Sequence, residues 1–154
     1  MIEVERSVLI NVGIDTAWRH VKDMHRWAAL MPGYRGCAVI DANDSRWTLK
    51  VGVGGLVRTV TVLVHVDEWQ EPARVNFSYT LEGDPVQGNG SYSALQKSAE
   101  ETEVALRVSV AGSGPMAPMW EAMSRPLLPQ LAKSFAEKLK AEIESAPPAL
   151  WKPI

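Results

Sequence analysis

From Tyr34 to Val110 apolar and polar residues alternate with a period of two. Each break falls on turn chemistry: Asn43-Asp44-Ser45, Gly54-Gly55, Glu71-Pro72, Gly83-Asp84-Pro85 and Ser98 to Glu101. A stretch that alternates for this long must build a sheet with one buried face, because every second side chain of a strand points the same way. Six consecutive strands with short, hence antiparallel, connections are predicted. The clearest carry Val60, Val62, Val64 and Val66, then Val75, Phe77, Tyr79 and Leu81, and finally Val104, Leu106, Val108 and Val110. Residues 2 to 12 add a seventh, with Ile2, Val4, Val8, Ile10 and Val12 on one parity.

The sheet is flanked by helical patterns. Asp15 is placed to cap a short helix over Thr16 to Lys22, and a second short helix runs from Asp23 to Leu30 until Met31-Pro32-Gly33 ends it. After Ala111-Gly112-Ser113-Gly114-Pro115, residues Met116 to Ser145 repeat Met119, Trp120, Met123, Leu127, Leu131, Phe135, Leu139 and Ile143 at spacings of three and four, the signature of a long amphipathic helix. Pro126 and Pro129 lack an N–H and predict a kink or restart between Ser124 and Pro129. The tail 146–154 is too proline-rich to continue the helix.

A chain of 154 residues has room for one domain, read as 1–145 followed by that tail. Sixteen basic against 18 acidic residues give a net charge of −2, the wrong footprint for a generic nucleic-acid binder. The single cysteine, Cys37, excludes an internal disulfide and fits a reducing, cytoplasmic setting. No integral membrane segment is expected, since no run of about 18 apolar residues occurs.

One strand, two short helices, six strands and a long helix make an α+β layout, in which a seven-stranded antiparallel sheet curls around one helix and leaves volume between them. This order resembles the helix-grip fold of the START-like, or SRPBCC, superfamily. The local motifs are similar to the CoxG group within it, the carbon monoxide dehydrogenase-associated members. They are Val12-Gly-Ile-Asp-Thr-Ala-Trp18, Asp23, the Met31-Pro32-Gly33 turn, Leu49-Lys50-Val51-Gly52-Val53-Gly54, Gly88 to Gly90, Thr102 and Phe135. The similarity spans about residues 2 to 143. It implies a domain that holds an apolar small molecule such as a lipid, quinone or polyketide, or that assists a molybdenum hydroxylase system. An aromatase/cyclase enzyme and an accessory protein docking on an enzyme complex are the alternatives.

The candidate walls of the cavity follow from parity and helix spacing. Met119, Trp120, Met123 and Leu127 form one side, with methionines able to reshape around varied apolar ligands. Trp27, Leu30, Met31 and Tyr34 flank the Pro-Gly turn as an opposite lip, and Val60, Val62, Val64, Phe77, Tyr79 and Leu81 form the sheet side. Arg58 shares the parity of Val60, where it either neutralises an anionic head group or reaches solvent. The strand from Gly88 to Gln96 reads both ways: Tyr92 and Ala94 favour one parity, Leu95 the other, and Asn89, Ser91 and Ser93 turn inward only in the second.

No catalytic residue, metal or cofactor is assigned. His20 and His25 are expected as surface or capping residues, and His65 lies opposite the valines on the convex face. No Gly-x-Ser-x-Gly elbow is present, and Gly52, Gly54 and Gly55 lack the context of a phosphate loop. Trp151 in the tail is expected to dock on the body or a second subunit, or to stay free. A homodimer or a docked enzyme complex is the corresponding partner expectation.

Overall fold

In the computed structural model, which describes residues 2–53 and 56–145, the alternation becomes one sheet. Its strands are β1 (Ile2–Ile10), β2 (Tyr34–Val39), β3 (Asp44–Val53), β4 (Leu56–Gln70), β5 (Arg74–Leu81), β6 (Val86–Ser98) and β7 (Glu101–Gly112). The order is β1-β7-β6-β5-β4-β3-β2, antiparallel throughout, so only β1 leaves the sequential meander to pair with β7. Between β1 and β2 lie α1 (Ile14–Val21) and α2 (Met24–Ala29), and α3 (Ala117–Ser145) closes the chain. This is the helix-grip layout. Gly54, Gly55 and the tail with Trp151 lie outside the described residues.

The caps show which local signals act. Asp23 caps α2, its Oδ1 accepting the His25 N–H at 3.0 Å. For α1 the N-cap is Gly13, without a side-chain acceptor, and Asp15 sits instead in the first turn, where its charge still favours the helix N-terminus. The Pro-Gly turn brings two backbones together. Gly33, at φ +78°, faces Lys50 across a close approach that a Cβ would enter at 1.9 Å from the Lys50 carbonyl oxygen. The Lys50 N–H donates back to the Gly33 carbonyl at 2.7 Å, which fixes where α2 meets β3.

α3 runs unbroken through Pro126 and Pro129, so the expected restart does not occur. One turn earlier the Ser124 hydroxyl donates to the Trp120 carbonyl at 2.8 Å, a side-chain bond that supports the backbone beside the prolines. The grip is made mainly by the C-terminal half of the helix, where Ala132, Phe135, Ala136, Leu139 and Ile143 are buried. Leu128, just before the midpoint, is buried too, and the helix packs on β1 and β7 and touches α1. Trp27 of α2 stacks on Phe135 at 5.1 Å and meets Tyr92 edge-on at 5.8 Å, so α3, α2 and β6 share one aromatic column. Trp18 meets Trp69 edge-on at 6.0 Å behind it.

His20 differs from its expectation. It is 7% exposed, wedged in the helix layer, and its Nδ1 lies 3.0 Å from Nη1 of Arg26. A guanidinium can only donate, so Nδ1 accepts and the imidazole is neutral with its proton on Nε2. Burial, then the Arg26 charge, hold the pKa below the ordinary 6.5, against the opposite pull of Glu142 and Asp23. A group depressed on folding takes up its proton first in the unfolded chain, so stability is complete above about pH 6.5 and falls as the pH drops through and below that value. His65 has the opposite sign: the hydrogen bond to Asp44 raises its pKa, and its contribution is lost as the pH rises through the raised value. His65 is exposed and screened, so His20 should dominate. Thermal midpoints should therefore fall between about pH 6.5 and pH 5, and His20→Gln, which keeps an acceptor for Arg26, should flatten that slope. An unchanged slope would mean that His20 is not the acid-sensitive group.

Candidate functional site: an apolar cleft under the sheet

Paired residues of an antiparallel sheet share a face, so the inner side chains stand in rows. One row is Trp47, Val62 and Leu81; the next is Ser45, Val64, Tyr79 and Gly88. A third is Val66, Phe77, Gly90 and Val108, and a fourth is Val75, Tyr92 and Leu106. This register answers the question of β6: Tyr92 and Ala94 face inward, whereas Asn89, Ser91 and Ser93 face outward with the exposed Leu95.

These rows are covered unequally. The fourth is closed by Trp27 and Phe135, and Val75 and Tyr92 are buried there. In the first three, Val62, Phe77, Tyr79 and Leu81 face inward yet stay half-buried, as does Val60 on the adjoining row of Leu49. The apolar interior is accordingly divided. A large cluster holds α1, α2 and the C-terminal half of α3 against the sheet, and a small one gathers Val86, Val110 and Leu128. Tyr79 packs against both, at the seam. The seam between the two clusters, where the half-buried inward side chains gather, is the candidate site.

The residues read from sequence as walls lie at different depths. Trp27, Leu30 and Val64 are core, Met31 and Tyr34 are half-buried at the α2 end, and Trp120 packs beside Leu81 on the small cluster. Met123 and Leu127 are half-buried on α3, whereas Met119 is 41% exposed at the rim. Arg58 neither lines the depth of the cleft nor waves free. Its Nη2 donates to both carboxylate oxygens of Asp84, at 2.9 and 2.7 Å, and its guanidinium lies 5.9 Å from the centre of the Trp120 ring. It ties β4, the β5–β6 turn and the start of α3 together at the mouth. Asp84 belongs to a turn motif, and nothing in its spacing announces this partner.

The chemistry of the inner face is sparse. Among the described residues, its rows over β3 to β7 carry no carboxylate and no histidine. On these rows the Tyr79 and Tyr92 phenols, and on β2 the half-buried Cys37 thiol, are pushed upward by burial and so held protonated; Tyr34 adds a third phenol at the β2 edge. The Tyr79 hydroxyl is committed, donating to the Ser109 carbonyl at 2.6 Å. The Trp47 indole donates to Ser45 at 2.8 Å, Trp69 to Asn43 at 3.0 Å, and Trp27 to the Val21 carbonyl. The Tyr92 hydroxyl and the Trp18 indole N–H have no hydrogen-bond partner among the described residues.

A separate groove of about 710 Å³ crosses the opposite face of the sheet, over Leu63, His65, Ser78, Thr80 and Asn89. His65 Nδ1 pairs with Asp44 at 2.8 Å, but the Ser78 hydroxyl donates to Asp67 at 3.1 Å rather than to the imidazole. No activated nucleophile results. Among the described residues no group of acidic, histidine or cysteine side chains is arranged to hold a metal, and no helix is long and apolar enough to cross a membrane.

A curled antiparallel sheet that grips one long C-terminal helix, with two short helices after the first strand, defines the START-like, or SRPBCC, class. The chain belongs to the family described as polyketide cyclase / dehydrase and lipid transport, whose model matches residues 1–144. Solved structures share the fold at low identity. A conserved protein from Geobacillus kaustophilus is 17% identical with a TM-score of 0.79, over 92% of this chain and 95% of that one. The Zhui aromatase/cyclase from Streptomyces sp. R1128 is 18% identical with a TM-score of 0.72, over 97% and 98%. A START superfamily protein from Mycobacterium smegmatis is 15% identical with a TM-score of 0.68, over 91% and 98%. No curated protein matches the chain in sequence.

Proposed function

We propose that this protein binds or carries an apolar small molecule, of the lipid, quinone or polyketide kind, in the cleft between the sheet and the first half of α3. The observation that carries this is the divided core: Val60, Val62, Phe77, Tyr79 and Leu81 turn inward and stay half-buried opposite Trp120, Met123 and Leu127. Apolar walls with few polar groups suit such a ligand, and the two methionines at the rim can adapt to its shape. The Pro-Gly turn and the strand at Lys50, joined by the Lys50 to Gly33 hydrogen bond, favour a place near the CoxG group and an accessory role in a carbon monoxide dehydrogenase-type system.

An enzyme of the aromatase/cyclase kind is the second reading, favoured by the similarity to Zhui. It needs a group that moves protons at the substrate. The inner face offers only phenols and a thiol held protonated, which weighs toward carriage.

Native mass spectrometry of the purified protein, followed by organic extraction, tests the proposal. A stoichiometric hydrophobic adduct is expected, and it should be lost in a folded Trp120→Ala, Met123→Ala double variant. No adduct, together with no thermal shift on adding fatty acids, quinones or polyketides, would overturn it.

A further inference from the structure

Tyr92 stands on the inner face of β6, fully buried, and its hydroxyl finds no partner among the described residues. Burying a hydroxyl unpaired is unfavourable, and phenylalanine would fill the same space without that penalty. Such an orphan in a well-packed column therefore asks for a reason. Of the other inner-face phenols, Tyr79 is taken up by the Ser109 carbonyl and Tyr34 is half-buried at the β2 edge, so Tyr92 is the one whose O–H is both fully buried and unpaired among the described residues. Its position relative to the cleft is fixed by register. Gly90 precedes it by one pleat on the same face, and Gly90 is paired with the half-buried Phe77. The closed row of Tyr92 is thus next to the last open row.

We propose that the Tyr92 hydroxyl is the polar anchor of the cleft, donating a hydrogen bond to a neutral acceptor oxygen of the bound molecule, the carbonyl of a ketone, ester or quinone. This rests on the apolar-cleft reading and narrows it. The neutrality follows from the surroundings: the sheet neighbours of Tyr92 are Val75, Leu106, Gly90 and Ala94. Of the cations on this parity, Arg58 is held by Asp84 at the mouth, and Arg6, beyond Leu106 at the end of the row on the edge strand β1, is exposed. A carboxylate brought to this depth would be a buried charge without a counterion, whereas a carbonyl needs only the single donor that is present. Phe77 on the neighbouring row, and Trp27 on the six-residue α2, are the side chains that must turn for a ligand to reach the hydroxyl.

The test is a cycle of two ligands and two proteins. Binding of 1-tetralone and of tetralin, the same bicycle with and without a carbonyl, is measured by calorimetry on the wild type and on Tyr92→Phe. The preference for tetralone over tetralin should be about five- to tenfold greater in the wild type than in the variant, the size of one hydrogen bond made in place of an unpaired group. Equal preferences in the two proteins, with both ligands bound, would overturn the anchor and leave the cleft standing. No binding of either ligand to the wild type would overturn the cleft and the anchor with it. The variant keeps the ring, and its thermal midpoint without ligand should equal or exceed that of the wild type. A lower midpoint would show that the hydroxyl is already bonded in the free protein, which also overturns the proposal.

Discussion

Truncation of Phe135 to alanine should cost roughly 3–5 kcal/mol, the range for removing a buried aromatic ring from a core that cannot fully collapse. Phe135 is where three layers meet, stacked on Trp27 of α2, which in turn meets Tyr92 of β6. Its loss removes one side of the Trp27 slot as well as its own buried surface. Domains of this size are stable by about 5–15 kcal/mol, so the variant should unfold at a much lower urea concentration with little change in the slope of the transition. Met119→Ala on the same helix should stay within about 0.5 kcal/mol, because the side chain lies at the rim. The contrast is the informative result. A large loss at Phe135 beside none at Met119 means that the second half of α3 holds the fold together and leaves the first half available to a ligand. Equal losses would mean that the helix is gripped along its whole length and that the cleft is filled.

That division of labour could not be read from the helix sequence. Met119, Trp120 and Met123 recur with the same spacing as Phe135, Leu139 and Ile143, and periodicity reports which face is apolar, not how much of it is covered. Coverage is set by where α3 crosses the sheet, over β1 and β7, and that depends on the pairing of the two ends of the chain. The strands were legible because alternation and turn residues agree from Tyr34 to Val110. In β6 the signal failed for a physical reason: two glycines have no side chain to report a face, and an exposed Leu95 mimics an inward one. In α1 a favourable Asp15 drew the cap two residues too far along, past Gly13.

The inward face of the candidate site was legible, but its polar details were not. Valines and aromatics of one parity share that face. The partners of the polar side chains are long-range. Arg58 meets Asp84 across 26 positions and Tyr79 meets Ser109 across 30, so no local spacing encodes them. His20 escapes a sequence reading because a lone histidine on a short amphipathic helix looks like a polar-face residue until α2 and α3 bury it. Tyr92 carries no motif that marks a site residue, although a large phenol in a strand of glycines and serines is the available signal.

Gly88→Ala should be among the most damaging small substitutions, at about 3 kcal/mol or more, because the obstacle is backbone. The β6–β7 ladder opens there: pairing holds at Val86 and Gln87 and resumes only at Gly90. Ser109 fills the gap, its hydroxyl accepting the Asn89 N–H at 3.2 Å, while Tyr79 reaches across to the Ser109 carbonyl. A Cβ on Gly88 would lie 2.0 Å from that carbonyl oxygen and 2.6 Å from the Tyr79 hydroxyl. Tyr79→Phe removes only the outermost atom of the second contact, since the ring Cζ stays 2.7 Å from the added Cβ, and it leaves the first untouched, so the double variant should recover only a small part of the loss. Denaturation of the four proteins of the cycle measures this directly. Full recovery would mean that the side chain, not the carbonyl, sets the limit, and that β6 can move at this point. Little recovery means that the seam of the core at Tyr79 is held by a rigid crossing of three strands. Tyr79 would then be a preformed part of the wall, and Phe77 on the next row the side chain left to move.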